Sequence, residues 1–193
     1  MATGGFSIIS RSVGIWACVL WSVFAAGAVS AAALHPQLAS VPLTAGPDRL
    51  ATGAARMVGA ILEYTRWPAR QTPLVLCVVG QALHAGAMDR LSLSNGRAVV
   101  RRNVPAETEP ARLDCAALYL ARLDPETLRR WTRVARGAAI VTIAEDDPGC
   151  RSEAMFCLRF MPATLSFDLN IDAVSRSGVR IDPRVLRLAN GED

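Results

Sequence analysis

The sequence predicts a three-layer α/β/α sandwich built on a largely parallel sheet with a late antiparallel addition. Three observations carry the prediction: short continuous apolar runs, helical stretches with a single apolar stripe between them, and cap-plus-proline signals where helices should begin. From Asp48, the residues Leu50, Ala54, Met57, Val58, Ile61 and Leu62 recur at three- and four-residue steps, the spacing of a helix running to about Arg66 and ended by Pro68. Leu74 to Val79 is a strand covered on both faces, and a helix through Leu83, Ala87, Met88 and Leu91 is expected after it. Asn95-Gly96 marks a turn before a β-branched strand from Arg97 to Val104, and Pro105 to Pro110 is an acidic loop.

Ala116 to Leu120 is the third strand. Asp124-Pro125-Glu126 then supplies an N-cap, a proline at the first helical position and an acid in the first turn, so a helix should run to about Arg136 and stop at Gly137. Ala138 to Ile143 is a fourth strand, followed by a turn from Glu145 to Gly149. Met155 to Phe160 and Ala163 to Leu169 are two strands joined around Met161-Pro162. Asn170 caps a short helix ending at Gly178, and Asp182-Pro183 repeats the cap-plus-proline signal for a last helix through Leu188.

Arg11 is the only charge in the first 47 residues, and it precedes an apolar run of 17 residues from Val13 to Val29 and the small-residue stretch Val29-Ser30-Ala31-Ala32-Ala33. A basic head, an apolar middle and an alanine-rich exit form a secretory signal. The competing reading is an uncleaved anchor, because about 17 to 25 residues span a bilayer. The expected organisation is a signal peptide over 1–33, a proline-containing flexible leader over 34–47 and one domain over 48–190, delivered to the periplasm with no stable membrane insertion after cleavage.

There is no lysine; setting Arg11 aside leaves 20 arginines against 17 acidic residues, spread along the chain with no concentrated nucleic-acid footprint. Arg101-Arg102 and Arg129-Arg130 read as solvated faces. No catalytic residue, metal set or cofactor is expected. His35 falls in the leader, His84 has no cysteine or acid at ligand spacing beside it, and Gly80 to Gly86 lacks the glycine spacing of a dinucleotide loop.

Cys77, Cys115, Cys150 and Cys157 stand in a chain bound for an oxidising compartment, where cysteines pair. Four cysteines allow three pairings, and sequence alone does not choose among them. Cys150 and Cys157 flank a tight loop, whereas Cys77 lies in one expected strand and Cys115 at the threshold of another, so adjacent parallel strands could bring the latter two within bonding range. No Cys-x-x-Cys is present to poise a reactive thiolate.

The run from Leu165 to Val174, continuing through Ser177-Gly178-Val179-Arg180-Ile181-Asp182-Pro183 to Leu186-Arg187-Leu188-Ala189, is similar to the C-terminal signature of the YfiR-type periplasmic proteins. Tyr64-Thr65-Arg66-Trp67-Pro68 resembles that family's helix ending in Trp-Pro, and Leu76-Cys77-Val78-Val79-Gly80 its first core strand. The resemblance implies a regulator and not an enzyme: a repressor that holds the periplasmic sensor domain of an inner-membrane diguanylate cyclase inactive, lowering cyclic-di-GMP and biofilm formation and coupling redox stress to the cytoplasm. It implies two sequential disulfides, here Cys77 with Cys115 and Cys150 with Cys157. It also implies an apolar partner surface formed by Ile171, Val174, Ile181, Pro183 and Leu186, with a homodimer as a compatible assembly. The plainer expectation for Val174, Leu186 and Leu188 is burial in the core. The alternative function is a small-molecule-binding module with its crevice at the carboxyl ends of the parallel strands, which a basic pocket would favour.

Overall fold

The computed structural model describes residues 40–46, 48–110 and 114–189; the expected signal peptide lies outside them. In chain order the elements are β1 (Ser40–Pro42), α1 (Arg49–Glu63), β2 (Thr65–Arg66), β3 (Leu74–Val79), β4 (Val99–Val104), β5 (Ala117–Leu120), α2 (Pro125–Val134), β6 (Val141–Ala144), β7 (Phe156–Phe160), β8 (Thr164–Leu169), α3 (Ile171–Ser175) and β9 (Arg180–Ile181). Short 3-10 segments cover Met88–Arg90 and Pro183–Ala189.

The main sheet has seven strands in the order β1-β8-β7-β6-β5-β3-β4. Strands β4, β3, β5, β6 and β7 are parallel neighbours, and β8 adds to β7 in the antiparallel sense. Alternation along each strand sends side chains to opposite faces. Leu76, Val78, Ala117, Tyr119 and Ile143 join the core under α1, while Cys77, Val79, Leu118 and Leu120 meet Leu128 and Trp131 on the α2 side. Asp124 caps α2 by accepting from the backbone of Glu126 and Thr127 at 3.0 Å each, and Trp131 donates its indole N–H to the Ala106 carbonyl at 2.9 Å. That bond ties the acidic loop after β4 onto the helix.

Four expectations are corrected. The helix expected through Leu83 and Leu91 is reduced to the single 3-10 turn Met88–Arg90; the stretch before it is a loop whose Leu83 and His84 N–H groups bond the Glu145 carboxylate, tying it to the end of β6. The first helix stops at Glu63, three residues early: the Thr65 hydroxyl donates to the Ile61 carbonyl at 2.7 Å and Thr65 pairs with Ile181 in a two-stranded ribbon. The last helix is 3-10 and not α. Part of the expected leader, Ser40–Pro42, is an edge strand on β8, a position where proline is tolerated. Leu43 follows it onto α1 over Gly53, where an added Cβ would collide with the leucine side chain.

Candidate functional site

The segment after β8 carries all five residues expected to meet a partner. Asn170 caps α3 by accepting from Ala173 N–H at 2.9 Å. Two backbone bonds then fasten the exit from α3: Gly137 N–H to the Arg176 carbonyl and Gly178 N–H to the Ala138 carbonyl, both at 2.8 Å. Gly178 lies so close to this strand approach that a Cβ would stand 2.9 Å from the Ala138 carbonyl carbon and 3.0 Å from the Ala139 nitrogen. Gly178→Ala therefore forces backbone apart, and we expect a loss of about 1–3 kcal/mol, measured by urea denaturation.

Asp182 is the next fastening point. Its N–H donates to the Tyr64 carbonyl at 2.9 Å, and its carboxylate accepts from both the side chain and the backbone N–H of Arg184, with Arg66 4.0 Å away. The Arg184 side-chain bonds, reinforced by the Arg184 backbone N–H and by the charges of Arg184 and Arg66, hold this carboxyl down to about 2. A depressed acid stabilises the fold above its unfolded value and loses that contribution only as pH falls toward 2.

The five residues divide. Ile171 is 74% exposed and Leu186 48% exposed, and Pro183 is also exposed; Val174 and Ile181 are half-buried against the core under α1. The anchors of this segment are Val179 and Val185, both buried, which sequence reasoning did not single out. Leu186 is thus not core, and the Leu188 side chain lies outside the described residues.

A cleft of roughly 450 Å³ opens at the carboxyl ends of β3, β5 and β6, where the alternative function placed a crevice. Leu83, His84, Arg122, Phe160 and Met161 contribute to its walls. It is not a basic pocket: Glu145, Asp146 and Asp147 face Arg122 and Arg159 there. Nor are these carboxylates free, since Asp146 pairs with Arg122 at 2.7 Å and Glu145, 2% exposed, accepts from Leu83 N–H, His84 N–H and the Tyr119 hydroxyl at 3.0, 2.6 and 3.2 Å. The His84 ring rests on Phe160 with centroids 4.3 Å apart. The sequence marks Glu145 only as a turn residue; an acid directly after a mostly apolar strand is the available signal that it caps the sheet.

Burial, then the charge and hydrogen bond of Glu145, push the Tyr119 phenol well above its usual range. The folded chain keeps this proton where the unfolded chain releases it, so stability falls as pH rises beyond about 10. No lysine titrates there to share the effect. Alkaline unfolding followed by circular dichroism should show this fall, and Tyr119→Phe should flatten it.

Both disulfides form as the family resemblance implied. Cys77–Cys115 spans 5.8 Å between Cα atoms and is buried in the core under α2, with β3 and β5 as adjacent parallel strands. Cys150–Cys157 spans 5.5 Å; Cys157 is buried on β7, and Cys150 is half-buried in the left-handed region at φ 52°. Asp147 braces that loop, accepting from Arg151 N–H at 3.0 Å, Ser152 N–H at 3.0 Å and the Ser152 hydroxyl at 2.6 Å.

Fold and site together define a disulfide-stapled α/β domain with exposed apolar residues on its last elements. The sequence model of the family described as YfiR/HmsC-like matches residues 53–190, and the chain belongs to that family. It is a family of periplasmic, non-catalytic regulators of diguanylate cyclase signalling. Among the described residues, no helix is long and apolar enough to cross a membrane.

Proposed function

We propose that the chain represses cyclic-di-GMP synthesis by binding the periplasmic sensor domain of an inner-membrane diguanylate cyclase through Ile171, Val174, Ile181, Pro183 and Leu186. The observation that carries this reading is the exposure of Ile171 and Leu186, 74% and 48%, on elements that are otherwise tied down. Large apolar side chains held out to solvent on a fastened backbone favour association, because little ordering remains to be done on contact. Residues 1–33 serve as the export signal in this reading, and 48–190 form the regulatory domain.

The Cys150–Cys157 bridge is the redox-responsive element of the proposal. Half-buried Cys150 offers a reductant an approach that the core bridge Cys77–Cys115 does not. Cys157 is also paired with Asp168 on β8, the strand that runs directly into Asn170 and α3, so loosening the bridge acts next to the partner segment.

Deleting the gene while leaving the cyclase intact tests the reading. Cellular cyclic-di-GMP should rise; an unchanged level would count against repression.

A further inference from the structure

We infer that the Cys150–Cys157 loop is also a thiol-dependent metal site: once the bridge is reduced, Cys150, Cys157 and Asp147 bind a zinc-like divalent cation. The donor atoms of these three residues all lie within 4.8 Å of one another. In a tetrahedral site with sulfur at about 2.3 Å and oxygen at about 2.0–2.2 Å, neighbouring ligands stand roughly 3.5–3.8 Å apart. Asp147 Oδ2 and Cys157 Sγ are already 3.5 Å apart. Breaking the bridge lets the two sulfurs separate toward the same spacing.

The surroundings favour retention of this geometry. Cys157 is held on β7 between Ala144 of β6 and Asp168 of β8, so its sulfur has a fixed base. The Asp147 carboxylate is aimed by Arg151 N–H, Ser152 N–H and the Ser152 hydroxyl, the outer donors that orient a ligating carboxylate. Half-buried Cys150 is the ligand that turns, and Asp147 borders the cleft, which gives a cation a way in. Two thiolates and one carboxylate suit a borderline cation of the zinc type, with water completing four ligands.

The chemistry balances in two steps. A dithiol donor passes two electrons and two protons to the sulfur–sulfur bond, giving two thiols here and a disulfide on the donor. The cation then displaces both thiol protons, so its binding strengthens as pH rises. Oxidised chain holds the loop with a covalent bond, and reduced chain holds it with a metal.

The test uses the exported chain without its signal, reduced with a phosphine in metal-free buffer and titrated with cobalt(II). A thiolate-to-cobalt charge-transfer band should grow to saturation at a single equivalent, and should be absent from oxidised protein and from Cys150→Ser. Ser152→Ala, which removes one donor that aims Asp147, should lower the affinity roughly tenfold. Absence of the band in reduced wild-type protein, or its persistence in Cys150→Ser, overturns the inference. Should Cys150→Ser not fold, alkylation of reduced wild-type protein decides: zinc must shield Cys150 and Cys157 while leaving Cys77 and Cys115 unaffected. Labelling of Cys150 and Cys157 that zinc does not change overturns it equally.

Discussion

Replacing Cys77 and Cys115 together by alanine lowers the unfolding free energy by about 4 kcal/mol, the chain-entropy cost of reopening a loop of nearly forty residues. A domain of this size has about 5–15 kcal/mol in all, so the loss removes a large share of its stability. At about 2–4 °C per kcal/mol, the melting temperature should fall by roughly 8–16 °C. Both sulfurs lie in the core beside Leu118 and Trp131, so the alanines also leave unfilled volume. Cys150 and Cys157 close a much shorter loop, and their double replacement should cost about 2.5 kcal/mol. Thermal melts of the two double variants check the ranking. A greater loss from the short bridge would contradict it.

Glu145→Ala destabilises the chain by about 3–5 kcal/mol, from three lost bonds to a charged acceptor and from the volume vacated beneath the cleft. Leu83 and His84 lie in a loop whose N–H groups can turn toward water; the Tyr119 hydroxyl, fully buried, cannot. That orphaned donor is the costliest part of the change. Tyr119→Phe alone costs about 1 kcal/mol, and adding it to Glu145→Ala should restore stability by relieving the orphan. Urea curves for the two single variants and the double variant measure the coupling. Strict additivity would show that the phenol finds another partner. In hydrogen exchange, the Leu83 and His84 amides should lose protection in Glu145→Ala.

Much of this architecture was legible because its signals are local. The apolar stripe of α1, the continuous runs of β3 and β5, and the Asp124-Pro125 start of α2 each specify their element without help from distant chain. The errors fall where a long-range partner overrides propensity. Leu83 to Leu91 has adequate helical spacing, yet its start is a loop that Glu145, about sixty residues away, ties to the sheet through the Leu83 and His84 amides. Ser40–Pro42 has no apolar pattern of its own and becomes a strand only because the β8 edge is there to receive it. Thr65 and Arg66 leave α1 for a ribbon with β9, residues more than a hundred positions later.

At the candidate site, the sequence singled out the segment after β8 but not which of its side chains face outward. Val174, Ile181, Leu186 and the unremarked Val179 and Val185 are chemically alike, and only the turn geometry after Gly178 decides that Val179 and Val185 go inward while Leu186 stays out. A 3-10 segment has three residues per turn, so the face that Pro183–Ala189 buries differs from the one an α-helix would bury. Glu145 and Asp147, the acids that brace the two loops of the cleft, were hidden for another reason: each accepts from backbone N–H groups, and no sequence pattern marks those donors.

The proposed grip on the cyclase rests on the exposed apolar residues after β8. The most direct measurement is cellular cyclic-di-GMP in a deletion strain that carries either the wild-type chain or Ile171→Glu with Leu186→Glu. Exposed substitutions of this kind change stability by about half a kcal/mol or less each, so the variant should be exported and folded. The wild-type chain should lower cyclic-di-GMP, and the double variant, present at an equal periplasmic level, should leave it at the value of the deletion strain. A folded double variant that represses as fully as the wild type would show that these residues are not the grip.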